Sequence, residues 1–307
     1  MHDLLARVLR PIDPPLAFER ATDWWADHRA ATRSLERPID RAIAGAARVD
    51  RLGFAFAGGY AAALCAMVPE LSADMPASLA ATEEGGAHPR AIATTLAREG
   101  DAWVLRGHKK WVTIGAGGGT ILVIARSTDA TGERPSLRVA RVDAGASGVT
   151  ITALPNMPFV PEIAHASVAL DGVRVEDAQL LPGDGYERYL KPFRTIEDLH
   201  VHAALLAWLS SIGARAPWPH AIRERALSML VTARALSEGD PSAPEIHVAL
   251  AGALASMRSL VLEIEPLWAS VDEPTRTRWQ RDRALLEIAS KAREARRESA
   301  WRALESG

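Results

Sequence analysis

Gly100-Asp101-Ala102-Trp103-Val104-Leu105-Arg106-Gly107-His108-Lys109-Lys110-Trp111-Val112-Thr113 reads as two β-strands, Trp103–Arg106 and Lys110–Thr113, turning on a tight loop. An aromatic and a hydroxyl stand at its far end, in Trp111 and Thr113. A second polar, glycine-rich loop lies upstream: Ala81-Thr82-Glu83-Glu84-Gly85-Gly86-Ala87-His88-Pro89. The same period of two extends in both directions, from about Ala77 to about Leu181. Ile92–Arg98, Ile121–Arg126, Leu137–Val142, Val149–Leu154 and Ala166–Leu170 all read as strands. Turn chemistry separates them at Gly100, Gly115–Gly119, Asp129–Pro135, Gly145–Gly148 and Asp171-Gly172. Short strands at this spacing, with no helical pattern between them, predict a central antiparallel β-barrel or sandwich.

Helical periodicity flanks this block. Before it, Leu4, Leu5, Val8 and Leu9 share one face, and Pro11, Pro14 and Pro15 end that pattern. Helices are predicted from about Leu16 to Leu35, from near Pro38, and from Leu52 to Met67. The last is so uniformly small and apolar that it should be buried on most sides. Gly58-Gly59 inside it predicts close helix packing or a break. After Pro182-Gly183-Asp184-Gly185 the chain reads as helical to its end. Four long antiparallel helices are predicted, the fourth capped by Asp272 and carrying Leu285, Leu286, Ile288, Ala289, Ala292, Ala295 and Trp301 as one apolar stripe. The expected fold class is α+β and multidomain. An N-terminal helical domain covers 1–76, a β-barrel 77–185, and a C-terminal four-helix bundle 186–307.

Composition narrows the function. The chain has 307 residues, 48% hydrophobic and 24% charged, with net charge -2, ordinary for a globular protein. No basic face for nucleic acid is indicated. The single cysteine, Cys65, excludes an intramolecular disulfide framework and reads as a small core residue. No secretory signal and no membrane span are read from the sequence, so the expected location is cytoplasmic. His200 and His202 are two apart, which turns them to different helix faces. They read as partly exposed helix residues and not as a metal pair, and no metal site is expected. The glycine run Gly115–Gly119 lies within the β block and lacks the strand-to-helix context of a phosphate-cradling loop.

The order of helices, β-barrel and helical bundle, together with the two loops, resembles the acyl-CoA dehydrogenase family of flavoproteins. Its members carry a Thr-Glu loop followed by Gly-Asp-x-(aromatic)-x-Leu-Asn-Gly-x-Lys-x-Trp-Ile-Thr. Here the matching residues are Thr82-Glu83 and Gly100 to Thr113. The resemblance implies an FAD cofactor, with Trp111 packed against the flavin ring and Val112 beside it. It implies that the Thr113 and Thr82 hydroxyls bond the isoalloxazine edge. It also implies an acyl-CoA or related thioester as substrate, an electron-transfer flavoprotein as electron acceptor, and FAD held between barrel and bundle in a homodimer.

The chain departs from the family pattern in several places. Ala87-His88 stands where the family has Ser-Asp, and Ile114 where it has Asn. The Arg-x-x-Phe-Gly…Gln pattern, the Gly-Gly-x-Gly-Tyr loop and the Glu-Gly-Thr segment are absent from the sequence. By the resemblance, Gly307 falls before the place of the usual catalytic glutamate. Some members instead carry a glutamate on the first helix of the bundle. Aligning Pro182-Gly183-Asp184-Gly185 and Phe193 with that region makes Glu197 the candidate base. An ordinary helix-surface carboxylate beside Asp198 is the alternative for Glu197. The expected function is α,β-dehydrogenation of an acyl thioester. A flavin-dependent oxidase or monooxygenase on the same scaffold, or a non-catalytic binding or assembly relative, are the alternatives.

Overall fold

The computed structural model describes residues 1–72, 75–86, 88–113, 118–128 and 136–306. Ala87, Ile114, most of the run Gly115–Gly119 and the turn 129–135 lie outside the described residues. The chain divides into two compact units. One comprises Met1–Ala66, Met157–Pro161 and Arg194–Gly307, and the other Met67–Asn156 and Glu162–Phe193.

The helical unit begins with α1 (His2–Leu9), α2 (Ala21–Thr32), α3 (Pro38–Ala46) and α4 (Leu52–Met67). Pro38 sits at the start of α3, where its missing N–H costs nothing, and Ile39, Ala42 and Ile43 are buried as their spacing predicts. α5 (Lys191–Arg215), α6 (His220–Leu236) and α7 (Pro244–Glu263) follow the β segment. The α4 glycines mark close packing. A Cβ on Gly59 would lie 2.7 Å from the Val201 Cα and 3.0 Å from the His200 carbonyl oxygen of α5. Both neighbours are backbone and cannot rotate away. Gly59→Ala is therefore expected to cost about 1–3 kcal/mol, seen as a lower urea midpoint. An unchanged midpoint would contradict that packing.

α7 is the one helix among the described residues long and apolar enough to cross a membrane by length and composition. Its buried Leu250, Leu254, Met257 and Leu260 recur at helical spacing, and it packs on α6 and α9 (Ser290–Glu305). That is the pattern of a helix with one core-facing stripe. The core of this unit also holds an indole cluster. Trp268 stacks on Trp279 at 4.7 Å, Trp208 on Trp279 at 6.0 Å, and Trp218 meets Trp268 edge-on at 5.5 Å.

The fourth long helix of the predicted bundle is broken. It becomes α8 (Glu273–Asp282), a tight turn at Arg283–Glu287, and α9. Asp272 caps α8 as its sequence predicts, accepting from the Thr275 N–H at 2.9 Å. The break has two causes. The fully buried Asp282 carboxylate is held by Arg281 and by the Val160 N–H at 2.7 Å, and Ala289 adopts a left-handed conformation with φ 64°. The break changes the helical phase, so the predicted stripe does not form as one face. Leu285 is buried, whereas Ile288 and Trp301 are exposed.

The β unit is a seven-stranded mixed sheet: β1 (Ala77–Ala80), β2 (Thr95–Glu99), β3 (Ala102–Thr113), β4 (Thr120–Ser127), β5 (Leu137–Asp143), β6 (Val149–Ala153) and β7 (His165–Val175). The strand order is β1-β4-β2-β3-β7-β6, with β5 also on β4. The sheet is mixed and not purely antiparallel, because β4 runs parallel to both β1 and β2. One buried cluster draws Ala140 and Val142 from β5 together with Val168, Leu170 and Val173 from β7, so the sheet curls around a single core. β5 and β6, the outer strands, are not paired with each other among the described residues.

The opening segment is one strand and not two. β3 is continuous from Ala102 to Thr113, and the turn lies ahead of it at Gly100, where φ is 65°. Gly107 suggests a turn in the sequence but serves a close approach within the strand. Its φ is 149°, and a Cβ there would lie 2.5 Å from the Thr94 Oγ1 and 2.7 Å from the Thr94 Cα.

Candidate functional site

β3 pairs with β2 on one side and β7 on the other. Along β7 the register runs Lys109↔Val168 and then Val112↔Ala166. Two residues, Lys110 and Trp111, therefore oppose the single Ser167. This is a β-bulge, a device that re-aims side chains. Trp111 takes φ 60°, left-handed backbone that costs a bulky residue on the order of 1–3 kcal/mol. The result is a switch of faces. Lys109 and Val112 point inward, 1% exposed each, and Trp111 points outward, 46% exposed.

The Thr82 loop lies alongside. The Lys110 N–H donates to the Thr82 carbonyl at 2.8 Å, and the Ser78 hydroxyl donates to the Thr113 carbonyl at 2.6 Å. The segment from Ser78 to Thr82 thus flanks Lys110 to Thr113. Thr82 and Thr113 are both half-buried. Neither hydroxyl has a hydrogen-bond partner among the described residues. The structure therefore brings Thr82, Trp111, Val112 and Thr113 onto one strip of the β unit. That strip carries the Trp111 indole, with the Lys110 ammonium 5.8 Å from its ring centroid, and two hydroxyls without a hydrogen-bond partner among the described residues. This donor set and surface fit an aromatic heterocycle with a polar edge, as in an isoalloxazine.

Behind the strip lies a pair that the sequence reading did not single out. The Lys109 ammonium, fully buried, donates to Glu83 Oε1 at 2.7 Å and to the Ala81 carbonyl at 3.4 Å. The Glu83 carboxylate also accepts from the Ala93 and Thr94 N–H groups at 2.8 and 3.0 Å. Burial lowers the Lys109 pKa to about 8, against the opposing pull of Glu83. Burial alone would raise Glu83, but the bonds from Lys109 and Ala93 outweigh it and hold the carboxyl below its ordinary value. The signal for this pair was present in Thr82-Glu83 and in the family's Lys before Trp.

Glu197 belongs to the other compact unit, on α5. It is half-buried, and its carboxyl is pushed up to about 7 by burial and by the Asp198 charge, against Arg293 and Arg194. Asp198 is the buried partner of two guanidinium groups, Arg293 at 2.9 Å and Arg296 at 2.5 Å. His200 and His202 are buried too, 4% and 7% exposed, which corrects the expectation of partial exposure. Each Nδ1 meets the carbonyl four residues back, at Ile196 and Asp198, and burial lowers both pKa values to about 4. No cluster of metal-binding side chains occurs among the described residues. Cys65 is half-buried, with burial raising its thiol pKa.

Residues 78–173 match the family model of the acyl-CoA dehydrogenase middle domain, the segment that contains β3 and its bulge. No match is found among curated protein sequences. Among solved structures the chain is similar to an FAD-dependent dehydrogenase, with TM-score 0.71, 16% identity, and 99% of this chain and 97% of that chain covered. It is similar to a glutaryl-CoA dehydrogenase from Mycobacterium smegmatis in complex with FADH2, with TM-score 0.60, 15% identity, and 100% and 94% covered. It is also similar to the prolyl acyl carrier protein oxidase AnaB, with TM-score 0.69, 14% identity, and 99% and 98% covered. Residues 78–173 thus match the acyl-CoA dehydrogenase middle domain, and the chain as a whole shares the fold of these solved structures.

Proposed function

We propose that the chain is a flavoprotein that binds FAD on the β3 bulge and oxidises an acyl chain carried as a thioester. The observation that carries this reading is Trp111. A tryptophan held outward by a strained bulge, in the same segment as Thr113 and beside the Thr82 loop, is costly without a ligand. Trp111 would offer its ring face to the isoalloxazine, and Val112 would support the strand from the core side. The Thr82 and Thr113 hydroxyls would donate to the ring's polar edge. FAD, when bound, supplies a two-electron acceptor next to the substrate.

Glu197 is the proposed base. Its carboxylate would take the proton α to the thioester carbonyl, and a pKa near 7 suits a base working close to neutral pH. The substrate class rests on the likeness to a glutaryl-CoA dehydrogenase and to a prolyl acyl carrier protein oxidase. We further propose a homodimer in the cytoplasm that passes electrons to an electron-transfer flavoprotein. An oxidase is the second reading, favoured by the likeness to the carrier-protein oxidase.

Trp111→Ala tests the carrying observation. Because Trp111 is 46% exposed, the variant is expected to melt close to wild type. Its FAD affinity should fall about tenfold or more, the loss of one stacking partner. Equal FAD affinities in the two proteins would remove Trp111 from the site. Anaerobic bleaching of the bound flavin by acyl-CoA and acyl carrier protein substrates, followed by admission of oxygen, separates dehydrogenase from oxidase.

A further inference from the structure

We infer that the buried Glu83–Lys109 pair is a positioning clasp, holding the Lys110–Trp111 bulge in its outward conformation and so fixing the direction of the Trp111 indole. A buried ion pair is poor evidence for stability, since apolar residues of similar volume often serve as well. This one has a better explanation in its place. Lys109 makes the last regular pair with β7 before the bulge, and Val112 makes the first pair after it. Trp111 therefore sits between two inward anchors, one an ammonium with no exposed side-chain surface and the other a valine.

A valine anchor alone does not fix the register. If the bulge were absorbed by a one-residue slip, the side chains beyond it would exchange faces. An apolar side chain at 109 would tolerate that slip. An ammonium with one carboxylate and one carbonyl in reach would not, because slipping leaves a buried charge unpaired. Glu83 is itself fixed by the Ala93 and Thr94 N–H groups, so the clasp refers the bulge to rigid backbone. Thr82, one residue before Glu83, receives the Lys110 N–H. The clasp thus sets both edges of the strip at once. The exposed Lys110–Glu84 pair, with Glu84 at 85% side-chain exposure, adds little as an ion pair, although the Lys110 ammonium also lies over the Trp111 ring, 5.8 Å from its centroid.

The consequence for flavin rests on the function proposed above, whereas the clasp itself is tested without flavin. Protein containing fluorotryptophan is examined by fluorine NMR, and the Trp111 resonance is the one lost in Trp111→Phe. Two variants are compared: Lys109→Met and Lys109→Met/Glu83→Gln. The double variant carries no unpaired buried charge, and its melting temperature is expected to lie closer to wild type than that of Lys109→Met. If the pair is a clasp, the Trp111 resonance stays shifted or split in the double variant while the other tryptophan resonances keep their places. A double variant with wild-type stability and a wild-type Trp111 resonance overturns the proposal, since the pair would then only fill space. Should Lys109→Met fail to fold, the double variant alone decides. FAD titration of the same proteins is a separate readout, with an affinity at least about tenfold weaker expected in the double variant. A wild-type protein that takes up no FAD defeats the flavin reading and leaves the fluorine result to judge the clasp.

Discussion

Asp198→Ala is expected to destabilise the helical unit by about 3–5 kcal/mol. The Asp198 side chain is 10% exposed, and its partners Arg293 and Arg296 are 16% and 15% exposed. Arg293 also donates to the Leu286 carbonyl at 3.0 Å, and Arg296 to the Thr195 hydroxyl at 3.3 Å. One carboxylate thus ties α9 and the preceding turn to α5. Removing it leaves two guanidinium groups with little water to replace their partner. The Arg20–Asp23 pair is the control, with side chains 73% and 48% exposed. Asp23→Ala should leave the urea midpoint close to that of wild type. Urea denaturation followed by circular dichroism measures both. A loss at Asp198 no larger than that at Asp23 would show that α9 is not held by this link.

Glu197→Gln is expected to act in two opposite directions. Bleaching of a bound flavin by substrate should fall by roughly two to four orders of magnitude, the usual contribution of a general base. Relative stability should rise as pH passes from about 4.5 through about 7, and level off above that. The Glu197 pKa is raised from 4.5 to about 7 in the folded chain. Folding is therefore favoured while the carboxyl stays protonated, and that advantage is lost as pH rises from the unfolded value through about 7. Glutamine stays neutral at every pH. At pH above 7 the variant should be more stable than wild type, by on the order of 1–3 kcal/mol, less than full linkage because part of the side chain meets solvent. Below the unfolded value the two should melt alike. Wild type and variant with parallel pH profiles would mean that Glu197 is an ordinary surface carboxylate and a poor base.

The parts of this molecule legible in the sequence are those set by local pattern. Leu52–Met67 is apolar all round, and α4 has those limits. Gly58-Gly59 predicts close packing or a break, and the structure has the first: α4 is unbroken and Val201 backbone lies against Gly59. Asp272 and Pro274 announce the start of α8. What was not legible depends on residues distant in the chain. β1 is short and pairs in parallel with β4, a register no local period encodes. Gly107 carries the composition of a turn, and only Thr94, thirteen residues earlier in the chain, explains why it must be small. The buried histidines owe their burial to neighbours on other helices, and His202 at neutral pH is an uncharged ring.

The candidate site divides in the same way. The Thr-Glu loop and Trp-Val-Thr at matched spacing mark the strip, and the structure places them side by side. The exposure of Trp111 was not readable, because alternation along β3 fails at the bulge, where two residues oppose one. Nor was the partner of Lys109. A lysine in a strand is ordinarily a solvent-facing residue, and its burial here requires Glu83 from a separate loop.

Flavin uptake tests the central claim most directly. The purified protein is titrated with FAD and followed by near-ultraviolet and visible absorbance, with Trp111→Ala measured alongside. The account predicts a saturable, red-shifted flavin spectrum for wild type and a weaker affinity for the variant. A wild-type protein that leaves the spectrum of added FAD unchanged at every concentration would contradict it.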